Sequence, residues 1–236
     1  LLVIVSATIA LCVYLFVQAP PPLAAQTREA GTVSMRAVFS MLELENDAVR
    51  ALWTEDIAER GKEVGLAFDE RWRDAAVHAG PLPALFLRET ARQLERTSLQ
   101  LSLFLGSPYP ISSANQLTAE QATHFAALVE TTAPEFFFEP GTRRHTAMFV
   151  DRAIVESCAT CHNEHPDSPK KDWKIGDIMG ATTWMYPDEV VTAERAIELV
   201  AGLRASIRAA YTAYLDKAAT FPEPPGVGSR WPKDGY

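Results

Sequence analysis

The sequence predicts an α+β fold: an N-terminal transmembrane helix, long helices, an antiparallel sheet and a closing C-terminal helix. Three observations carry this. The first seventeen residues, LLVIVSATIALCVYLFV, hold no charge. From Gln26 to His78 there is no proline, and apolar residues recur at three- and four-residue steps. From Glu135 onward, short aromatic and β-branched runs are separated by Gly, Pro, Arg and Asp, the texture of paired strands.

At about 1.5 Å of rise per residue, the opening run covers roughly 25 Å of a hydrocarbon core about 30 Å thick. Residues 1–18 therefore read as a single-pass membrane anchor. A cleaved signal peptide is the competing reading. Against it, QAPPPLAAQ sets three prolines just before the small-residue site, and LAA matches the small-x-small pattern poorly. Cys12, inside this run, reads as a small apolar side chain. Residues 19–27 form a proline-rich linker, 28–217 one domain, and 218–236 a proline-rich tail.

Within the domain, Met35, Val38, Phe39, Leu42, Leu44, Val49, Leu52 and Ile57 form the stripe of one or two long amphipathic helices, interrupted near Gly61 and Gly65. GPLP (80–83) is a turn, and PALFLRETARQLE resumes the helical period with proline in its first turn. LGSPYPISSANQ is loop by composition. Thr118 followed three residues later by Gln121 is a capping box that starts a short helix. EFFFE, HTAMFV, RAIV and DIMGATTWMY are the strand candidates. Beyond Pro187, Ile197, Val200, Leu203, Ile207, Tyr211 and Tyr214 trace a helical stripe.

Lys and Arg number 22 against 30 Asp and Glu, a formal charge of −8. That balance argues against nucleic acid and anionic lipid headgroups as general partners and permits steering toward basic proteins.

The chemistry lies in ESCATCHNEHPDSPKKDW, where Cys158, Cys161 and His162 form the c-type haem attachment pattern. Two thiols three residues apart can each bond one vinyl group of a single porphyrin while the adjacent imidazole ligates the iron. A structural zinc site needs four ligands, there is no second Cys pair, and His162 with His165 could complete a set only in a cramped loop. A thioredoxin-like dithiol would need a βαβ setting, and a disulfide over two intervening residues would be strained and leave His162 unexplained. One covalently attached haem c is the preferred reading. An exported domain with no other cysteine fits the compartment where such proteins mature.

CATCH followed by NEHPDSPKKDWKIGDIMG, together with LERTSLQL (Leu94 to Leu101), resembles the c-type haem PAS-like domain family over roughly residues 40–190. That family occurs as the extracytoplasmic part of bacterial sensor kinases and nucleotide cyclases and as stand-alone proteins. The resemblance implies a PAS-like antiparallel sheet preceded by long helices, with haem held between them. It also implies a second axial ligand, a Cys in an upstream helix followed four residues later by Ala-Pro. HAGPLP sets His78 at that place, and an imidazole is a competent ligand for iron. Met148, Met179 and Met185 are the competing ligands, then His145 and His124, then an open site. Phe149, Trp173, Trp184 and Tyr186 are candidate ring contacts, and Arg96, Arg143 and Arg144 candidate propionate partners.

These readings lead to a periplasmic mono-haem cytochrome, anchored in the inner membrane, that exchanges single electrons with a redox partner protein or membrane complex. The alternative is a haem-based redox or gas sensor input domain. Catalysis is the weaker expectation, because no distal acid–base pair stands out beside an open iron.

Overall fold

Ser34 opens the first long helix by accepting a hydrogen bond from the Ala37 N–H at 3.4 Å. The structure, a computed structural model, describes residues 31–223 and, before them, Val5, Ser6, Thr8, Ile9, Leu11 and Tyr14, all helical. The expected anchor is otherwise outside the described residues, as are the linker and the tail beyond Glu223. Among the described residues, no helix is long and apolar enough to cross a membrane.

Strand β1 (Thr32–Ser34) leads into α1 (Met35–Ala51), a π-helical stretch (Leu52–Glu59) and α2 (Arg60–Glu63). Together they make one unbroken rod, which ends where Gly65 adopts a left-handed φ of +96°. The expected stripe holds for Met35, Val38, Phe39, Leu42 and Ile57, which are buried. It fails at Leu44 and Leu52, which are 72% and 52% exposed. Glu43 and Asn46 are buried instead, because the rod is rotated to bring them against the sheet.

The helical expectation also fails beyond Gly65, since residues 66–78 have no continuing apolar stripe. This segment is a loop whose ends meet as a short parallel pair, β2 (Phe68–Asp69) with β3 (Gly80–Pro81). A Cβ on Gly80 would stand 2.6 Å from the Tyr214 ring, so only glycine fits there. Pro83 opens α3 (Pro83–Glu95) as expected.

Strand β4 (Ser102–Gly106) was not anticipated from the sequence. The Thr118–Gln121 capping box is present, with both reciprocal bonds made, at the start of α4 (Ala119–Thr131). Then come β5 (Glu135–Glu139), β6 (Arg144–Arg152), α5 (Glu156–Glu164), β7 (Ile178–Tyr186), β8 (Val190–Thr192) and α6 (Ala193–Ala218). RAIV is not a separate strand. Pairing ends at Arg152 after an irregularity at Asp151, and the chain turns toward α5.

The sheet is antiparallel throughout, in the order β4-β7-β6-β5, and β1 pairs with β8 beside it. Alternation divides its two faces. Ala147, Trp184 and Tyr186 meet Phe39, Leu42, Leu199 and Leu203 on the face covered by α1 and α6. Met148 and Ala181 meet Phe125 and Leu128 of α4 on the other face. On α6 the buried stripe is Ala196, Leu199, Leu203, Ser206, Ala210 and Tyr214, while Ile197 is 70% exposed. Small residues at 196, 206 and 210 give that face its close fit. Trp53 stacks on Phe86 at 3.9 Å and touches Tyr214, locking rod, α3 and α6 together.

Candidate cofactor-attachment site

Where β6 ends, the sequence ESCATCHNE forms the short helix α5. Residues three apart on a helix are surface neighbours, with Cβ atoms about 5–6 Å apart. Cys158 and Cys161 therefore share a face. Both thiols are free, the first half-buried and the second exposed.

Five ties hold this helix and the strand end before it. Ala159 packs with Ala153, Trp173 and Met179, and Cys158 lies against that cluster. The Asn163 side chain clasps Trp173, donating to its carbonyl at 2.9 Å and accepting from its N–H at 2.8 Å. Ser157 donates to the Glu59 carboxylate at 2.7 Å, and His165 meets Glu70 at 3.1 Å. Finally, Arg50 donates to the Arg152 carbonyl at 3.1 Å and pairs with Asp151. The loop after α5 thus folds back over it, with Lys170 4.3 Å above the Trp173 ring.

Burial holds the His162 imidazole below its ordinary pKa, with the Asp151 charge pulling the other way. The ring is therefore mostly neutral near pH 7, the form that ligates metal. Its Nδ1 is sealed without a hydrogen-bond partner, and so is the Trp173 indole N–H. An unmade bond of this kind costs about 1–3 kcal/mol. Partial burial and the charges of Glu70, Cys158 and Glu164 push the Cys161 thiol up. That is opposite to the thiolate activation a catalytic dithiol uses.

This donor set fits a haem: two thiols on one helical turn, a neutral imidazole beside the second, and an apolar flank containing a sealed indole N–H. It does not close a zinc cage. Among the described residues, no three His, Cys, Asp or Glu side chains gather to hold a metal ion.

The other sequence candidates are dispersed. His78 is exposed on the loop before β3, with its ring 5.6 Å from Phe221 beyond the end of α6. Met179 packs in the cluster that Cys158 joins, whereas Met148 lies under α4. Met185 stands half-buried between Ser102 and Thr146 in the sheet. His124 stacks on Phe137 and pairs with Glu135 at 3.2 Å, and His145 lies beside Phe138. Trp184 and Tyr186 belong to the sheet core, bonded to Glu43 and Arg195. Arg144 donates to the Gln100 carbonyl, and Arg96 to Gln93 on its own helix.

The sequence reading missed Arg50, Asp151, Glu59 and Asn163. A signal existed for the first. After Leu42 the helical stripe continues through Glu43, Asn46, Asp47 and Arg50 at the same spacing, apolar turning polar on a face that must still be covered.

A family model described as Tll0287-like matches residues 24–187, taking in the rod, the four-stranded sheet and the cysteine motif. This chain belongs to the Tll0287-like family. No curated protein and no solved structure matches it. The Tll0287-like region stops just after β7, so β8 and α6, which complete the core behind the sheet, lie beyond it.

Proposed function

We propose that this Tll0287-like chain is a membrane-anchored, mono-haem c-type cytochrome of the PAS-like class. Its haem domain faces the periplasm from a single inner-membrane helix. Cys158 and Cys161 bond the haem and His162 ligates it. The observation that carries this reading is the placement of all three on one short helix, with Nδ1 of a neutral His162 and the neighbouring indole N–H sealed and unpartnered. The four-stranded antiparallel sheet flanked by helices supports the PAS-like assignment.

When bound, haem supplies a reversible one-electron couple. The chain's residues do the rest. The two thiols fix orientation, burial keeps the imidazole unprotonated, and Ala159, Trp173 and Met179 exclude water from one flank. Ser157 to Glu59 and Asp151 to Arg50 tie the motif to the rod. The second ligand is either His78, on the family pattern, or Met179, on its packing beside Cys158. The partner is a one-electron donor or acceptor protein or membrane complex, and the acidic surface suits a basic docking face.

A second reading, a sensor input domain, is favoured by one specific observation. The π-helical stretch Leu52–Glu59 lies where the rod touches the motif, and π-turns concentrate at functional positions.

The test is the mass and colour of the purified, denatured chain. Pigment that stays attached supports the cytochrome, and a mass equal to the bare polypeptide ends it. Spectra with and without carbon monoxide then divide the readings, since an unreactive low-spin haem favours electron transfer and ready uptake favours sensing. Loss of the low-spin spectrum in His78→Ala or in Met179→Ala identifies the second ligand.

A further inference from the structure

The sheet-facing side of the rod changes character along its length. Met35, Val38, Phe39 and Leu42 are apolar, and the next positions at the same spacing are Glu43, Asn46, Arg50 and Thr54, with Asp47 at the exposed edge. Glu43 is only 4% exposed. Trp184 of β7 donates its indole N–H to Glu43 Oε2 at 2.6 Å, while Glu43 Oε1 has no partner. Both polar atoms of Asn46, and the hydroxyl of Thr182 on β7, are also buried without partners. Such groups commonly hold bridging water.

The charges that act on Glu43 come from Asp47 and Arg50 on its own helix and Asp151 on β6. β7 presents uncharged Trp184 and Thr182, and on α6 Arg204 is engaged by Glu45. Burial and then the Asp47 charge push the Glu43 carboxyl up to about 8, against the Trp184 bond and Arg50. Two of these neighbours also serve the motif, because Arg50 interacts with Cys158 and Asp151 with His162.

We propose that Glu43 is a proton-binding site coupled to the electron state of the cysteine motif, so that the protein takes up a proton together with an electron. The proposal rests on the haem reading above. The electron comes from a one-electron donor protein and the proton from water. One O–H bond forms on the Glu43 carboxylate as one O–H bond of solvent hydronium breaks to leave water, and oxidation reverses both changes. The arriving electron removes a positive charge from the region that Arg50 and Asp151 span, so the carboxylate holds its proton more tightly. At an effective dielectric of about 20, a unit change of charge within about 10 Å alters a binding constant roughly tenfold or more. Asp47, exposed on the next turn, gives the proton its route to solvent.

Redox titration of the full haem-loaded chain across pH tests the coupling. The reduced-to-oxidised equilibrium should shift by up to about tenfold per pH unit, roughly 59 mV for one electron, around the Glu43 titration. Glu43→Gln, which keeps an acceptor for Trp184, should flatten that segment. Asp47→Asn removes a like charge and should move the break to lower pH. An unchanged profile in Glu43→Gln overturns the proposal. Should that variant not fold, an unmoved break in Asp47→Asn overturns it alone. Infrared spectra of the full chain, pigmented or not, read the carboxyl directly. A carboxylic-acid band at neutral pH that Glu43→Gln lacks supports the proton site, and no such band overturns it whatever becomes of the haem. The band without pigment overturns the haem reading and the coupling with it.

Discussion

The sheet core and the motif segment are built on different terms. In the core, Ala147, Trp184, Leu199 and Leu203 are fully buried, β6 and β7 pair in regular register from His145 to Asp151, and helices cover both faces. The segment from Ala153 to Asp177 rests instead on a five-residue apolar cluster and a set of polar clasps, and it contains two sealed, unpartnered nitrogens. Burial of apolar area at about 25 cal/mol per Å² stabilises the first without help. The second has only that small apolar cluster, so its side-chain clasps to Trp173, Glu59 and Glu70 carry more of its fixation. The difference teaches that the core is held by apolar packing between layers, whereas the motif segment is held mainly by individual polar clasps.

The largest expected effect breaks the comparison on the motif side. Changing Cys158 and Cys161 together to Ser should abolish attached pigment, read as a mass equal to that of the polypeptide, while far-ultraviolet circular dichroism keeps the helix and sheet signal. Trp184→Ala attacks the other side. It empties a fully buried site and strands Glu43, and denaturant unfolding should show a loss of about 3–5 kcal/mol.

The pH dependence of stability sharpens the contrast, because Glu43 is an ionisable group inside the core. Its folded pKa is raised from the ordinary 4.5 to about 8. Below 4.5 both folded and unfolded states hold the proton. Between the two values only the folded state does, so stability falls as pH rises, by up to about 1.4 kcal/mol per unit, and levels off above the folded value. Unfolding midpoints measured from acid to alkaline pH should show this decline, and Glu43→Gln should flatten it.

Smaller effects lie at the margins. Asn163→Ala removes the Trp173 clasp and should cost about 1–2 kcal/mol. Hydrogen exchange should then rise in the motif loop and stay unchanged in β6 and β7. Thr118→Ala breaks the α4 capping box for about 1 kcal/mol, read as a lowered thermal midpoint with the pigment spectrum intact.

Elements with strong local signals were legible in advance. Pro83 at a first turn, the Thr118–Gln121 box and the aromatic and β-branched runs of β5, β6 and β7 all stand where the residues placed them. Strand β4 was hidden because SLFLG is short and merges into a proline-rich loop. The loop from 66 to 78 was hidden because its Ala-, Glu- and Arg-containing composition resembles that of the rod before it, although the apolar stripe does not continue. On α6 the expected stripe holds at Leu203 and Tyr214, with Val200 and Ile207 packed against the core, whereas Ile197 faces water and the smaller Ala196 is buried in its stead.

By itself, the sequence determined which donor groups the motif offers and the coarse order of long helix, antiparallel strands and closing helix. Thiol, thiol and imidazole at fixed spacing, caps, prolines and hydrophobic periods all act within one or two turns of chain. Only the tertiary structure decided which face of the rod meets the sheet. With that came the burial of Glu43 against Trp184 and the union of Arg50 with Asp151, a hundred residues apart. Such pairings depend on the rotation of whole elements about their axes, which is settled by the summed packing of the core and by no short stretch of residues.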